Sequence, residues 1–227
     1  MNILAVESSG AAAGAAVLCD GTLRAEGYAD TGLTHSEGLL PLIDSVLAAS
    51  KIKIDSIDAF AVSAGPGSFT GIRIGIGTVK GLAYGNGAKA CAVSSLEALC
   101  YNVPNSKGVI CPMIDARHNE VYNALYKWED GTLYELCAPR AIFVSELLKE
   151  LPEGTVFVGD GALAYSAEIA ENTVNSIITP PHIALPRASG IALAAVNKNF
   201  TDAAEISPIY LKKPQAEREL IERNEKK

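Results

Sequence analysis

The sequence predicts an α/β protein made of two similar lobes, each a mixed β-sheet with helices packed on it. Two observations carry this. A strand triplet followed by helix, strand and helix patterns fills the first hundred residues, and the same plan restarts at Val109. The landmarks of the plan also recur: Asp20-Gly21 and Asp130-Gly131 stand 110 residues apart, and the strand-end acids Glu7 and Asp115 stand 108 apart. With 227 residues, 48% of them apolar and 20% charged, the chain can fill one large core or two small ones.

Residues 2 to 7 form a short apolar run ending in an acid, followed by strand-like runs over 11 to 19 and 22 to 29. Asp20-Gly21 joins the last two as a hairpin, because a type I′ turn needs positive φ at both central residues. A helical pattern covers 35 to 50, opened by Thr34-His35-Ser36-Glu37, which fits a capping box. Its apolar residues, at Leu39, Leu40, Leu42, Ile43, Val46 and Leu47, spread wider than one core stripe needs, and Pro41 either kinks the helix or resets its start. A buried strand is predicted over 58 to 63, then a Gly/Pro loop, a Gly/Ile-rich segment and a strand over 88 to 93.

The segment from 70 to 84 is ambiguous. As a helix it carries Gly71, Gly75, Gly77 and Gly81, each costing about 1 kcal/mol relative to Ala, so it needs a compensating reason, such as a second helix approaching closely. Its apolar seam would be Ile72, Ile76, Val79 and Ala83. The alternation Ile-Arg-Ile-Gly-Ile over 72 to 76 also suits a strand. In the second half, Val109 begins a run ending in Asp115, strands follow over 120 to 127 and 132 to 138, and helix, strand and helix patterns complete it. The lobe boundary falls near Asn102 to Lys107, giving lobes over 1–104 and 105–211. The remaining tail, 212–227, holds six basic and four acidic residues.

Composition excludes several function classes. A formal charge of −7 and a pI near 5.0 are wrong for a stand-alone nucleic-acid binder. No apolar run reaches the ~18 residues of a membrane span, and Met1 to Leu4 enter a strand without a basic signal region, so a cytoplasmic location is expected. The five cysteines are scattered with no C-x-x-C pair and read as small core hydrophobes, which suggests neither disulfides nor a zinc site. His35, His118 and His182 have no ligand spacing, so no metal site is predicted.

The most informative stretch, Gly65-Pro66-Gly67-Ser68-Phe69-Thr70-Gly71-Ile72-Arg73-Ile74-Gly75-Ile76-Gly77, follows a strand, where glycine loops and helix N-termini hold anions. It is not a P-loop, since the Lys-Ser/Thr pair is missing, and Thr70 stands where a dinucleotide fingerprint wants glycine. Glu7-Ser8-Ser9-Gly10 and Asp115-Ala116-Arg117 could be two phosphate-facing loops flanking an interlobe cleft, with a carboxylate there to hold magnesium or orient a water. Glu7, Ser8, Ser9, Gly67, Ser68, Asp115 and Arg117 are therefore the candidate cleft residues. Each loop alone also reads as a plain strand end.

These residues resemble those of the TsaB (YeaZ) family of bacterial tRNA threonylcarbamoyladenosine (t6A) synthesis. The resemblance runs nearly end to end, through Ile3 to Ser9, His35-Ser36-Glu37 with Leu40-Pro41, and the Gly65 to Gly77 block. Ile114-Asp115-Ala116-Arg117 with Glu120-Val121-Tyr122, and Pro208-Ile209-Tyr210-Leu211, complete it. It implies the two-lobed actin-like (ASKHA, RNase H-like) fold shared with sugar kinases. It also implies that the chain is a non-catalytic subunit. In this family the paralogue TsaD is the transferase that modifies N6 of adenosine 37 in tRNAs reading A-starting codons, with a metal held partly by an H-x-x-x-H pair. Here Ser95-Leu96-Glu97-Ala98-Leu99 stands in that place and offers no such ligand, so a glycoprotease label does not transfer. Glu7 departs from the family pattern, where Asp is expected, which weakens any inherited nucleotide chemistry.

The resemblance further implies pairing with TsaD through the helices over 35–50 and 70–84. Leu39, Leu40, Ile43, Val46, Leu47, Ile72, Gly75, Ile76 and Val79 are the expected interface. It also implies that a TsaE-type ATPase docks on that pair, that TsaC makes the adenylate, that ATP and Mg act through the partner proteins with no cofactor tightly bound here, and that tRNA is met only within the complex. Alone, the exposed helix pair is expected to bury itself in a homodimer. The rival readings are an ATPase or small-molecule kinase of the same fold, resting on Glu7, Asp115 and the Gly65 loop, and a metalloprotease resting on fold analogy alone.

Overall fold

The computed structural model describes residues 1–32 and 34–212. The first sheet is built from β1 (Asn2–Glu7), β2 (Ala13–Cys19), β3 (Thr22–Ala29), β4 (Ala59–Gly65) and β5 (Lys89–Ser94) in the order β3-β2-β1-β4-β5. β1 pairs antiparallel with β2 and parallel with β4, so β1 is the central strand. The predicted hairpin is present, with φ of 47° at Asp20 and 77° at Gly21.

Side-chain alternation sends β1 to two cores. Leu4 and Val6 face α1 (His35–Ser50) and α2 (Phe69–Asn86), while Ile3 and Ala5 face the opposite layer. α1 runs unbroken through Pro41. At its start the Thr34 hydroxyl donates to the Glu37 carboxylate at 2.7 Å and does not accept the N3 amide, so the capping box closes side chain to side chain. The 70-to-84 ambiguity resolves as helix. α2 is capped by Ser68 Oγ accepting from Gly71 N and ends at Gly87, whose φ is 64°.

α3 (Ser95–Cys100) leads to the second sheet, built from β6 (Ile110–Asp115), β7 (Glu120–Glu129), β8 (Thr132–Phe143), β9 (Val156–Val158) and β10 (Ile177–Ile178). Its order, β10-β9-β6-β7-β8, with β6–β7 antiparallel and β6–β9 parallel, repeats the first sheet. α4 (Val144–Glu150), α5 (Asp160–Ala164) and α6 (Ser166–Asn172) belong to this half. The second Asp-Gly turn repeats the first, at φ 49° and 76°. Glu7 and Asp115 end equivalent strands, as their spacing predicted.

The lobes are not consecutive in sequence. The last helix, α7 (Ala188–Ala195), expected in the second lobe, packs on the first sheet, placing Ile191, Ala192 and Ala195 against Ile3, Ala61 and Val93. Beyond it, Thr201 bridges Ala90 at the edge of β5, and Ala203 and Ile206 enter the first core. The 105–211 unit is corrected accordingly: its second-sheet part ends before α7. The physical reason is burial, because β1 and β4 are apolar on both faces and need a second layer that the first hundred residues do not supply. α3 lies between the lobes, giving Ala98 to one core and Leu96 and Leu99 to the other. The tail predicted over 212–227 lies outside the described residues except for Lys212.

Candidate functional site

Two places hold the residues that the sequence singled out. One is the outer face of the helix pair, the other the cleft between the lobes.

Six of the nine expected interface residues point inward. Leu39, Ile43, Val46, Ile72, Ile76 and Val79 are each at most 6% exposed and form the core between the helices and the first sheet. The apolar width of α1 divides between core and surface: Leu40 is 50% exposed, and Leu47 is half-buried. The glycines of α2 divide in the same way. A Cβ on Gly71 would collide with the Ser8 carbonyl and press on His35 at the start of α1, and one on Gly75 would collide with the Ser8 hydroxyl, so these two admit the chain's own β1 end and α1, not a partner. Gly75 is thus also removed from the interface. A Cβ on Gly77 or Gly81 would meet nothing within 4 Å among the described residues, and Tyr84, one turn on, is 90% exposed.

Leu40, Leu47, Ile52, Ile54 and Leu82 line an open, largely apolar groove of about 630 Å³ along the C-terminal half of α1. Asp44, Lys51, Lys53 and Asp55 also line it. Among the described residues nothing covers this groove or the bare backbone at Gly77 and Gly81. The sequence signal for the outward residues was the width of the α1 stripe, which held both faces at once. Leu82 and Tyr84 were missed because they lie off the Ile72, Ile76, Val79 and Ala83 seam, Leu82 half-buried beside α1 and Tyr84 turned outward.

The interlobe cleft has a volume of about 510 Å³. Ser9, Gly67, Ser68, Asp115 and Arg117 line it, as expected, with Phe69, Tyr122 and Asp160. Glu7 and Ser8 do not. Glu7 is 1% exposed, with Oε1 accepting from Ser9 N at 2.5 Å and Ser9 Oγ at 2.6 Å. Burial pushes its carboxyl above the ordinary carboxylate range, opposed by hydrogen bonds from Ser9 and Ser63. Such a carboxyl organises a loop and is placed to neither hold a cation nor orient a water in the cleft. The Ser8 hydroxyl donates to the Gly71 carbonyl at 2.9 Å, tying β1 to α2.

On the opposite wall, Asp160 Oδ1 accepts from Asp115 N at 3.2 Å and Gly161 N at 2.8 Å. Burial raises the Asp160 carboxyl, and the hydrogen bonds from these two amides oppose the shift. Asp115 Oδ1 accepts from Arg117 N at 2.9 Å and from the Tyr165 hydroxyl at 3.4 Å. Arg117, His118 and Asn119 follow with φ of 62°, 56° and 60°, a left-handed run that projects Arg117 into the cleft. Asp160 was not foreseen, although Gly159-Asp160-Gly161 after a strand was a readable turn signal. Among the described residues no group of three or more His, Cys, Asp or Glu side chains is placed to hold a metal ion.

A duplicated sheet of order 3-2-1-4-5, a cleft between the copies and acids ending equivalent strands define a two-lobed protein of the actin-like ATPase (ASKHA) fold. At 14% identity, component A of (R)-2-hydroxyglutaryl-CoA dehydratase from Acidaminococcus fermentans shares this architecture, with a TM-score of 0.50 over 90% of this chain and 100% of its own. The family model for TsaD, tRNA N6-adenosine threonylcarbamoyltransferase, matches residues 30–221. The tRNA threonylcarbamoyladenosine biosynthesis protein TsaB of Bacillus subtilis is 32% identical over 98% of this chain and 99% of its own length. YeaZ from Pseudomonas aeruginosa superposes with a TM-score of 0.77 at 26% identity, covering 92% of this chain and 99% of that one. The chain belongs to the TsaB (YeaZ) family of tRNA threonylcarbamoyladenosine biosynthesis proteins.

Proposed function

We propose that the chain serves t6A synthesis as a non-catalytic subunit, docking a TsaD-type transferase on the outer faces of α1 and α2. The observation that carries this is the apolar groove of α1, closed on the α2 side by Leu82, together with the bare backbone of α2 at Gly77 and Gly81, which no described residue covers. The buried state of Glu7 supports the accessory role, because it leaves the cleft without the strand-end carboxylate expected on that side. Ser95 and Leu99, at the position of the transferase's metal-ligand pair, are fully buried between the lobes.

On this reading, isolated chains cover the same face by forming a homodimer, which competes with the heterodimer. A TsaE-type ATPase supplies ATP and Mg chemistry, this chain holds no cofactor tightly, and tRNA is held jointly, since a net charge of −7 disfavours phosphate binding alone. The test is threonylcarbamoyl transfer to tRNA by this chain and its cognate TsaD-type protein, separately and mixed, with Leu40→Asp as the interface variant. Activity only in the mixture, lost with Leu40→Asp while the variant's melting curve stays intact, supports the reading. Magnesium-dependent ATP turnover by the isolated chain that falls with Asp115→Asn would replace it with the kinase or ATPase reading.

A further inference from the structure

The last described residues cross from one lobe to the other at the mouth of the cleft. Ile209 N donates to the Ala64 carbonyl at 2.7 Å, at the end of β4. Tyr210 stacks on Phe69 with 5.3 Å between ring centroids, and its hydroxyl accepts from Arg73 Nε at 2.8 Å. The Arg73 guanidinium lies 3.7 Å over the same Phe69 ring, so a cation and two aromatic rings form one cluster on the first turns of α2. Two residues further on, Lys212 has reached the other lobe. Its Nζ donates to Glu120 Oε2 at 2.6 Å and stands 5.6 Å from the centre of the Tyr122 ring.

We propose that residues 208–212 are a latch that sets the aperture of the cleft and couples the first turn of α2 to the second lobe. Phe69 and Tyr122, the aromatic residues under its two anchors, both line the cleft. Two residues of chain span at most about 7 Å, so with both anchors engaged the lobes cannot part at this edge. The ionic anchor is no ordinary surface pair. The Lys212 and Glu120 side chains are only 12% and 22% exposed, which strengthens a charge-assisted hydrogen bond relative to its solvated equivalent. The other anchor is the stacked Phe69 and Tyr210 rings with the Arg73 guanidinium over them. A movement of the α2 first turn pulls on Lys212 through Tyr210, and by linkage a movement of β7 pulls on α2 with the same coupling.

Residue-resolved hydrogen exchange on the full chain tests the latch, reading each lobe when the opposite anchor is cut. Lys212→Met keeps the aliphatic stem against Tyr122 and removes the charge. It should raise exchange on the order of tenfold, the loss of a hydrogen bond to a charged group, at Ser68 and Gly71 in the first lobe. Tyr210→Ala should raise it similarly at Ala116 and Glu120, whose amides bond across the β6–β7 loop in the second lobe. β1 and β6 stay protected in both variants, and the radius of gyration rises as the cleft opens. The exchanged pair, Lys212→Glu with Glu120→Lys, should restore wild-type exchange at Ser68 and Gly71. Changes confined to the lobe that carries the cut anchor would overturn the proposal, reducing the segment to an ordinary surface crossing. A uniform rise through both sheets would also overturn it, as a loss of folding and not of a latch.

Discussion

Replacing Gly77 and Gly81 together by alanine should stabilise the isolated chain and weaken its pairing. Both positions lie inside α2, and an added Cβ meets nothing within 4 Å at either. A strain-free Gly→Ala change contributes about 0.4–1 kcal/mol through the entropy of the unfolded chain, so the pair is worth about 1.5 kcal/mol. For a chain of this size that raises Tm by about 3–6 °C. Gly71→Ala is the internal control. Its Cβ collides with the Ser8 carbonyl and lies 3.1 Å from His35 Cδ2, so overpacking should cost about 1–3 kcal/mol and lower Tm. Thermal melts in dilute solution read the fold, and titration calorimetry with the TsaD-type protein reads pairing. A double variant no more stable than the parent would refute the assignment of those glycines to open surface. A stabilised variant with unchanged affinity would move the interface elsewhere.

Ile43→Asp buries an unpaired charge in the first core, where the side chain is 2% exposed, and should cost at least about 3 kcal/mol in denaturant unfolding, so it destroys the fold before any interface is tested. Glu7 makes stability depend on pH. With its carboxyl raised in the folded state, its contribution is full below the ordinary carboxylate range and lost as pH rises through the raised value, so Glu7→Gln should leave Tm near pH 4 unchanged and raise it near pH 8. Asp160→Ala removes the acceptor for Asp115 N and Gly161 N, and should lower stability by about 1–3 kcal/mol in the same unfolding assay. Cys91, Cys100 and Cys111 are buried, and burial pushes the Cys91 thiol up to about 12, so native thiol titration should modify at most Cys19 and Cys137, with all five reacting after denaturation.

Much of the architecture was legible because it rests on local chemistry. The Asp-Gly hairpins, the apolar strand runs and the repeat spacing of Glu7 and Asp115 each follow from turn sterics or side-chain period, which a neighbour in space does not alter. The outward face of the helix pair was legible only in outline. A stripe as wide as that of α1 shows that two faces are apolar, and leaves open which of Leu39 and Leu40 takes the core.

The sequence by itself determined the duplicated α/β plan, the position of the strand-end acids and the family. Tertiary structure alone decided which glycines of α2 serve the chain and which face outward, that Glu7 turns away from the cleft, and that the chain returns through α7 to the first lobe and crosses to the second at Lys212. The physical reason is range. Turn geometry and hydrophobic period act over a few residues and are written in order along the chain, whereas Gly71 against Ser8 and Lys212 against Glu120 join positions 63 and 92 residues apart, and no local pattern encodes them.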